Sequence, residues 1–290
     1  MTMKYDAIII GTGQSGPSLA GRLAGAGMKV AIIERSLFGG TCVNTGCIPT
    51  KTLVASARAA YMARRGSDFG VMIDGPIAVD MKKVKARKDG VVRRSNEGVE
   101  NWLKNMENGT AYEGHARFEG PHTVRVGEKL LEAEKIFINV GARAFIPPMP
   151  GLDSVDYFTN STMMGVDFLP EHLIIIGGSY VGLEFGQMYR RFGSEVTIVE
   201  MGPRLIQRDD EDVSDTVKEI LENEGVNIRL DAECMTAEKQ GDKVVVKLDC
   251  ESGAREVTGS HLLLAVGRRP NTDDLGLDKA SIKVDQRGYI

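Results

Sequence analysis

One arrangement of apolar runs, glycines and a closing acid occurs twice in this chain, and it limits the possible folds more than any other feature. The first copy, AIIIGTGQSGPSLAGRLAGAGMKVAIIERS, begins at Ala7; the second, LIIIGGSYVGLEFGQMYRRFGSEVTIVEMG, begins at Leu173. Each consists of an apolar strand, a glycine turn, a helical stretch, a glycine and a second apolar strand closed by glutamate. Gly11 to Gly27 and Gly177 to Gly193 are both 16 residues, and Gly11 to Glu34 and Gly177 to Glu200 are both 23. Identical spacing in two copies predicts two βαβ units.

Such a unit carries the chemistry of dinucleotide binding. Gly11 allows the tight turn after the strand, Gly13 lets the backbone approach a pyrophosphate, and Gly16 lets the helix pack closely on the sheet. The helix N-terminus adds free N–H groups and a partial positive charge. Glu34 can accept hydrogen bonds from an adenosine ribose. The second copy has Gly177, Ser179 and Gly182, with serine at the middle position, where its small side chain still leaves room. Glu200 welcomes a ribose 2′-hydroxyl and repels a 2′-phosphate, so NADH is favoured over NADPH. Arg204 and Arg208 lie just beyond and soften that preference, which keeps NADPH possible. The fold class expected is α/β, with two Rossmann-like dinucleotide-binding domains.

A chain of 290 residues suits two domains better than one. Its 34 glycines, about 12% against a usual value of about 7%, show no collagen period and mark turns and close backbone approaches. The formal net charge of −4 gives no electrostatic case for nucleic acid. No apolar run approaches the roughly 20 residues that span a bilayer, and MTMKYDAIIIG lacks the features of a signal peptide, so a cytoplasmic location is expected. Residues 80–106 are expected to form one long helix, whose basic face (Lys82, Lys83, Lys85, Arg87, Lys88, Arg93, Arg94) is a solvated one. Val124–Val126 and Lys135–Val140 are expected as short strands. The proline cluster IPPMPG at 146–151 marks the domain boundary.

Four cysteines in a chain of this length do not make a secreted disulfide scaffold. Cys234 and Cys250 are isolated and are expected to be inert thiols. Cys42 and Cys47 lie five apart within GGTCVNTGCIPTK, Gly39 to Lys51, a placement that suggests redox chemistry or a metal. Zinc would need two further ligands, and none of His115, His122, His172 or His261 is spaced as a partner pair, so no metal site is expected. Residues five apart in a regular helix rise about 7.5 Å, too far for the roughly 5.5 Å Cα separation of a disulfide. A Cys42–Cys47 bridge therefore needs a distorted segment, which Asn44, Gly46 and Pro49 permit. The alanine-rich stretch TLVASARAAYMARR predicts a following helix, whose N-terminal end, with Lys51, would stabilise a thiolate at Cys47.

With that segment, the chain resembles the class I pyridine nucleotide–disulfide oxidoreductases, which include lipoamide dehydrogenases, glutathione reductases and mercuric reductases. They share G-G-T-C-x-N-x-G-C-x-P-x-K, and the likeness extends over GHARF (114–118), INVGAR (138–143) and AVGRRPN (265–271). It implies FAD on the first fold and NAD(P)H on the second. The domains implied are residues 1–147 for FAD and the redox disulfide, 148–267 for NAD(P)H, and 268–290 as the start of a segment returning to the FAD and central domain. Cys47 becomes the thiol nearest the flavin and Cys42 the interchange thiol. Lys51 and Glu184 become an ion pair beside the flavin, and Tyr180 a lid that moves aside for nicotinamide. Gly40, Thr41, Gly114, Gly141 and Gly267 join the fingerprint residues as cofactor contacts.

The resemblance also implies an FAD-dependent oxidoreductase that passes electrons from NAD(P)H through flavin to the Cys42–Cys47 disulfide, then to a disulfide or metal-ion acceptor. The segments around the cysteines look closest to mercuric reductase-like and lipoamide dehydrogenase-like proteins. Family members run well beyond four hundred residues. The chain is therefore expected to be C-terminally truncated, without the dimerisation domain and the His–Glu base that a homodimeric partner supplies. A truncated nucleotide-binding remnant with at most NADH:dye activity is the alternative expectation. No membrane or nucleic-acid partner is expected.

Overall fold

The two apolar runs that open the repeats form central strands of two separate sheets. A computed structural model describes residues 2–232, 235–248 and 256–290. In chain order the first elements are β1 (Thr2–Ile10), α1 (Ser15–Gly25), β2 (Val30–Glu34), α2 (Gly40–Asn44), α3 (Cys47–Arg64) and α4 (Met81–Lys104). Strands β3 (Gly109–Glu113), β4 (Ala116–Gly120), β5 (Thr123–Val126), β6 (Lys129–Ile138) and β7 (Ala142–Ala144) follow. The helix expected over 80–106 is α4, and the strand expected at 135–140 is longer, beginning at Lys129.

The first sheet has the order β3-β2-β1-β6-β5-β4. Strands β3, β2, β1 and β6 run parallel, whereas β4, β5 and β6 form an antiparallel meander. The carboxyl-terminal part of β1, Ala7 to Ile10, is buried on both faces, which explains its unbroken apolar run. Ile8 and Ile10 pack with Ile33, Phe118 and Leu131 on one face. Ile9 packs with Ile32, Ala20, Ala24 and Leu103 on the other. Each such side chain contributes roughly 1.5–3 kcal/mol relative to leaving it in water.

The second sheet repeats the plan. After β8 (Tyr157–Phe158) come β9 (His172–Ile176), α5 (Tyr180–Phe192), β10 (Glu195–Val199), α6 (Glu211–Asn223) and β11 (Asn227–Arg229). Then come β12 (Thr236–Gln240), β13 (Lys243–Lys247), β14 (Glu256–Gly259) and β15 (His261–Leu264). The order is β11-β10-β9-β15-β8, all parallel. Leu173 and Ile175 pack on Phe185, Met188 and Tyr189 of α5. Ile174 and Ile176 pack on Val244, Val246 and Val257 from the antiparallel sheet β12-β13-β14, which covers the opposite face.

The chain divides into two compact units: residues 1–49, 89–143 and 268–290 in the first, and residues 50–88 and 144–267 in the second. The boundary drawn at 147 from the proline cluster groups residues 50–88 with the first fold. In the structure Leu53, Ala57 and Met81 bury against Phe185, Met188 and Tyr189, and this apolar packing places them in the second unit.

Candidate functional site

The first unit builds its site at the carboxyl end of β1, where the neighbouring strands β2 and β6 connect in opposite directions. The Gly11 amide donates to Ile33 O at 2.8 Å, and the Asn139 amide to Ile10 O at 2.8 Å. Gly11 has φ +100°, and a Cβ there would strike the carbonyl of Asn139. A Cβ on Gly16 would strike the carbonyl of Gly11, so this glycine sets how closely α1 approaches the turn. Around Gly13 nothing lies within 4 Å of an added Cβ, so this backbone faces open space. Helix α1 has no side-chain cap; the Gly16 amide turns back to the Gly13 carbonyl at 3.2 Å, and the helix N-terminus keeps its partial positive charge.

Gly11, Gly13 and Asn139 line a cleft of about 260 Å³ that also includes Glu34, Gly40, Thr41, Gly114 and Gly141. Glu34 is nearly buried, and its carboxylate already accepts three bonds. Thr12 donates to it from its amide at 3.1 Å and its hydroxyl at 2.5 Å, and the Ser36 amide donates at 2.9 Å. A carboxylate has about four acceptor sites, so one remains for a ribose hydroxyl. The open turn, the uncapped helix and this acid fit the adenosine–pyrophosphate part of a dinucleotide such as FAD.

The second unit reproduces the turn almost bond for bond. The Gly177 amide donates to Val199 O at 2.8 Å and the Ala265 amide to Ile176 O at 2.8 Å. Glu200 accepts from the Gly178 amide at 2.6 Å, the Gly202 amide at 2.9 Å and Gln207 Nε2 at 3.3 Å. Gly182 stands to the carbonyl of Gly177 as Gly16 stands to that of Gly11. Ser179 is the N-cap of α5 in an extended conformation, without a side-chain cap bond. Gly267, with φ +129°, ends the β15 crossing as Gly141, with φ +64°, ends that of β6. Arg204 is paired with Glu211 at 3.5 Å.

The redox segment is broken where the disulfide geometry requires it. Helix α2 ends at Asn44, Thr45 leaves helical geometry at φ −140°, and α3 begins at Cys47. Cys42 and Cys47 are free thiols, and their side chains are hydrogen-bonded to each other. Burial, then the hydrogen bond and charge of Cys47, hold the Cys42 thiol above the ordinary thiol range. The backbone N–H groups of Cys47 and Ile48 oppose that shift by donating to Cys42. The first-turn amides of α3 thus serve Cys42, whereas the sequence pointed to Cys47 as the residue they would serve. Cys234 and Cys250 lie outside the described residues.

Two asparagines hold this loop, and the sequence marks only Asn44. Asn44 Nδ2 donates to the carbonyls of Phe38 and Gly40, both at 2.9 Å. Asn96 on α4 donates to Phe38 O at 2.7 Å and to Asn44 Oδ1 at 3.2 Å. Thr12, also missed, is fully buried and accepts from the Gly39 amide at 3.1 Å, which ties the glycine turn to the redox loop. No sequence signal marks Asn96, because it meets its partners from 52 and 58 residues away.

In the second unit Lys51 on α3 and Glu184 on α5 form an ion pair, with side chains 63% and 37% exposed. Tyr180 opens α5 and is exposed, and its hydroxyl donates to the Asp209 carboxylate at 2.8 Å. Among the described residues no group of three or more His, Cys, Asp or Glu is placed to hold a metal ion. No helix of the described residues is long and apolar enough to cross a membrane.

Two glycine turns of one pattern and a cysteine pair beside the first make up the site. The profile of the pyridine nucleotide-disulphide oxidoreductase family matches residues 5–290, and the chain belongs to that family. It is 37% identical to dihydrolipoyl dehydrogenase of Thermus scotoductus, over 99% of this chain and 62% of the relative. It is 33% identical to mercuric reductase of Bacillus cereus, over 99% of this chain and 45% of the relative. The solved structure of the HOCl-induced flavoprotein disulfide reductase RclA from Escherichia coli superposes with a TM-score of 0.85 at 36% identity, covering 98% of this chain and 61% of that one. The chain thus spans less than two thirds of these relatives. The family is one of FAD-dependent enzymes that use NAD(P)H.

Proposed function

We propose that this chain takes electrons from a nicotinamide nucleotide and delivers them, by way of FAD, to the Cys42–Cys47 pair for transfer to a disulfide or metal-ion acceptor. The observation that carries this reading is the pair itself, hydrogen-bonded across a helix break and attached to a glycine turn shaped for a dinucleotide. Family membership supports it over a nucleotide-binding remnant limited to dye reduction. FAD, when bound, would supply the step between two-electron hydride chemistry and the sulfur pair.

Gly11, Gly13, Gly16 and Glu34, with Gly40, Thr41, Gly114 and Gly141, would hold FAD. Gly177, Ser179, Gly182, Glu200 and Gly267 would hold the nicotinamide nucleotide. NADH is the better fit, because the Glu200 carboxylate would repel a 2′-phosphate and Arg204 is engaged by Glu211. Lys51, paired with Glu184, would supply a fixed positive charge for electron transfer. Tyr180 would act as the lid over the nicotinamide site.

Exchange itself is the work of the two cysteines. The Cys42 thiolate attacks one sulfur of an acceptor disulfide, forming a mixed disulfide and releasing the other sulfur as a thiolate. The Cys47 thiolate then attacks the Cys42 sulfur, closes the Cys42–Cys47 bond and releases the second acceptor thiol. The acceptor gains two electrons, and the pair loses two. Attack needs the Cys42 thiolate, so a base must take its proton first, and the reading assigns that base to the partner in a homodimer. A relative was solved as a Cu(II) complex, so a metal ion belongs among the acceptors to be tried. A cytoplasmic setting suits a pair that works as a dithiol.

The test is to oxidise the purified chain, load it with FAD, reduce it anaerobically with NADH, and titrate thiols chromogenically. The reading expects two new thiols per chain, and Cys42→Ser or Cys47→Ser should each abolish the gain. Failure to retain FAD, or flavin reduction without new thiols, would sink it.

A further inference from the structure

The second glycine turn is covered by the segment after Glu200. The Ile206 amide donates to the carbonyl of Gly178 at 2.9 Å, and the Asp209 amide to Ile206 O at 2.9 Å. Gln207 Nε2 donates to Glu200 at 3.3 Å. Ser214, inside α6, donates its hydroxyl to the neighbouring Leu205 O at 2.8 Å. The segment is therefore tied at residues 205–206 to both the turn and α6, and Asp209, just beyond, reaches Tyr180. That contact, from the tyrosine hydroxyl to the carboxylate, is 2.8 Å.

We propose that Asp209 is a positioning residue that latches Tyr180, so that the lid opens for the nicotinamide only when the Tyr180–Asp209 hydrogen bond breaks. The inference rests on the reading of Tyr180 as that lid. Tyr180 is the first residue of α5 and is 57% exposed, so little packing holds its ring. A hydrogen bond from a neutral donor to a carboxylate is stronger than one between neutral groups, and here it is the principal fixed contact the structure gives the side chain. The same contact keeps the Tyr180 phenol above its ordinary range, with Arg208 acting weakly in the opposite direction. A ligand that binds only the open form sees its affinity multiplied by the fraction of chains already open. The latch therefore weakens nucleotide binding and sharpens the distinction between a nucleotide that displaces the ring and one that does not.

Two measurements test this on the full chain. In the first, the tyrosine ultraviolet pH titration of wild type minus that of Tyr180→Phe isolates the Tyr180 phenol. The proposal expects Asp209→Ala, paired with its own Tyr180→Phe control, to bring that titration back toward an ordinary tyrosine. An unmoved titration means the bond does not form in solution, and the proposal falls even if nucleotide binds normally. In the second, NAD⁺ affinity is measured by calorimetry. Tyr180→Phe and Asp209→Ala should each tighten binding by roughly three- to tenfold, and the double variant by no more than either alone. Asp209→Asn, whose amide oxygen still accepts, should lie between. Additive effects, or an Asp209→Ala affinity equal to wild type, would overturn the latch. If wild type binds no nicotinamide nucleotide at all, the functional reading fails as well, and the first measurement separates the two failures.

Discussion

Thr12 and Glu34 are joined twice, through the threonine amide at 3.1 Å and its hydroxyl at 2.5 Å. In the second fold Gly178 occupies the equivalent place and reaches Glu200 through its amide alone, at 2.6 Å. The first turn thus has a side-chain tie that the second lacks, and the same hydroxyl also holds the redox loop at Gly39. Thr12→Val keeps the shape and removes the hydroxyl, leaving a nearly buried carboxylate short of a donor. The expected cost is about 1–3 kcal/mol in urea unfolding, with an unchanged dependence on denaturant concentration. A cost near zero would mean that Glu34 finds water in place of Thr12.

Gly13 and Gly16 belong to one motif but should respond oppositely to alanine. A Cβ on Gly16 collides with the backbone carbonyl of Gly11, whereas one on Gly13 meets nothing within 4 Å. Gly16→Ala is expected to destabilise the chain by roughly 1–3 kcal/mol, read from thermal unfolding. Gly13→Ala should melt like wild type yet lose FAD affinity, read by flavin fluorescence, because the methyl group fills space reserved for the pyrophosphate. If Gly13→Ala binds FAD normally, the ligand does not approach this turn.

Lys51→Met separates stability from function in another way. The ion pair with Glu184 is well exposed, so its loss should change stability by less than about 1 kcal/mol. If the charge serves electron transfer, the NADH-driven appearance of thiols should slow by about tenfold or more. An unaffected rate would leave the pair as a surface bridge.

Cys42 should be less reactive than an ordinary thiol at neutral pH. Its thiol is raised by burial and by Cys47, so the thiolate fraction, and with it alkylation by iodoacetamide, grows only as pH rises above the usual thiol range. Cys47→Ala removes the hydrogen bond and the charge but not the burial. Alkylation of Cys42 at pH 8, followed by peptide mass spectrometry, is expected to speed up about three- to tenfold. An unchanged rate would assign the whole shift to burial.

Much of this organisation is local and therefore legible in the residue order. The fingerprint glycines, the acids 23 residues beyond them and the helix break between Cys42 and Cys47 follow from turn geometry and periodicity within short windows. Lys51–Glu184, 133 residues apart, was legible only through resemblance to a family. Proline spacing could not show that residues 50–88 pack on α5, because that depends on which apolar face finds a partner.

What the residue order determined by itself was the pair of βαβ units and the chemistry of their turns, because strand, turn and helix preferences act between neighbours along the chain. The tertiary structure alone decided which groups share a proton or a hydrogen bond across distance. It turned the first amides of α3 toward Cys42, set Asn96 against Asn44 and brought Asp209 to Tyr180. Hydrogen bonds act only over about 3 Å, so these meetings exist only after the apolar faces have packed and fixed the backbones that carry them.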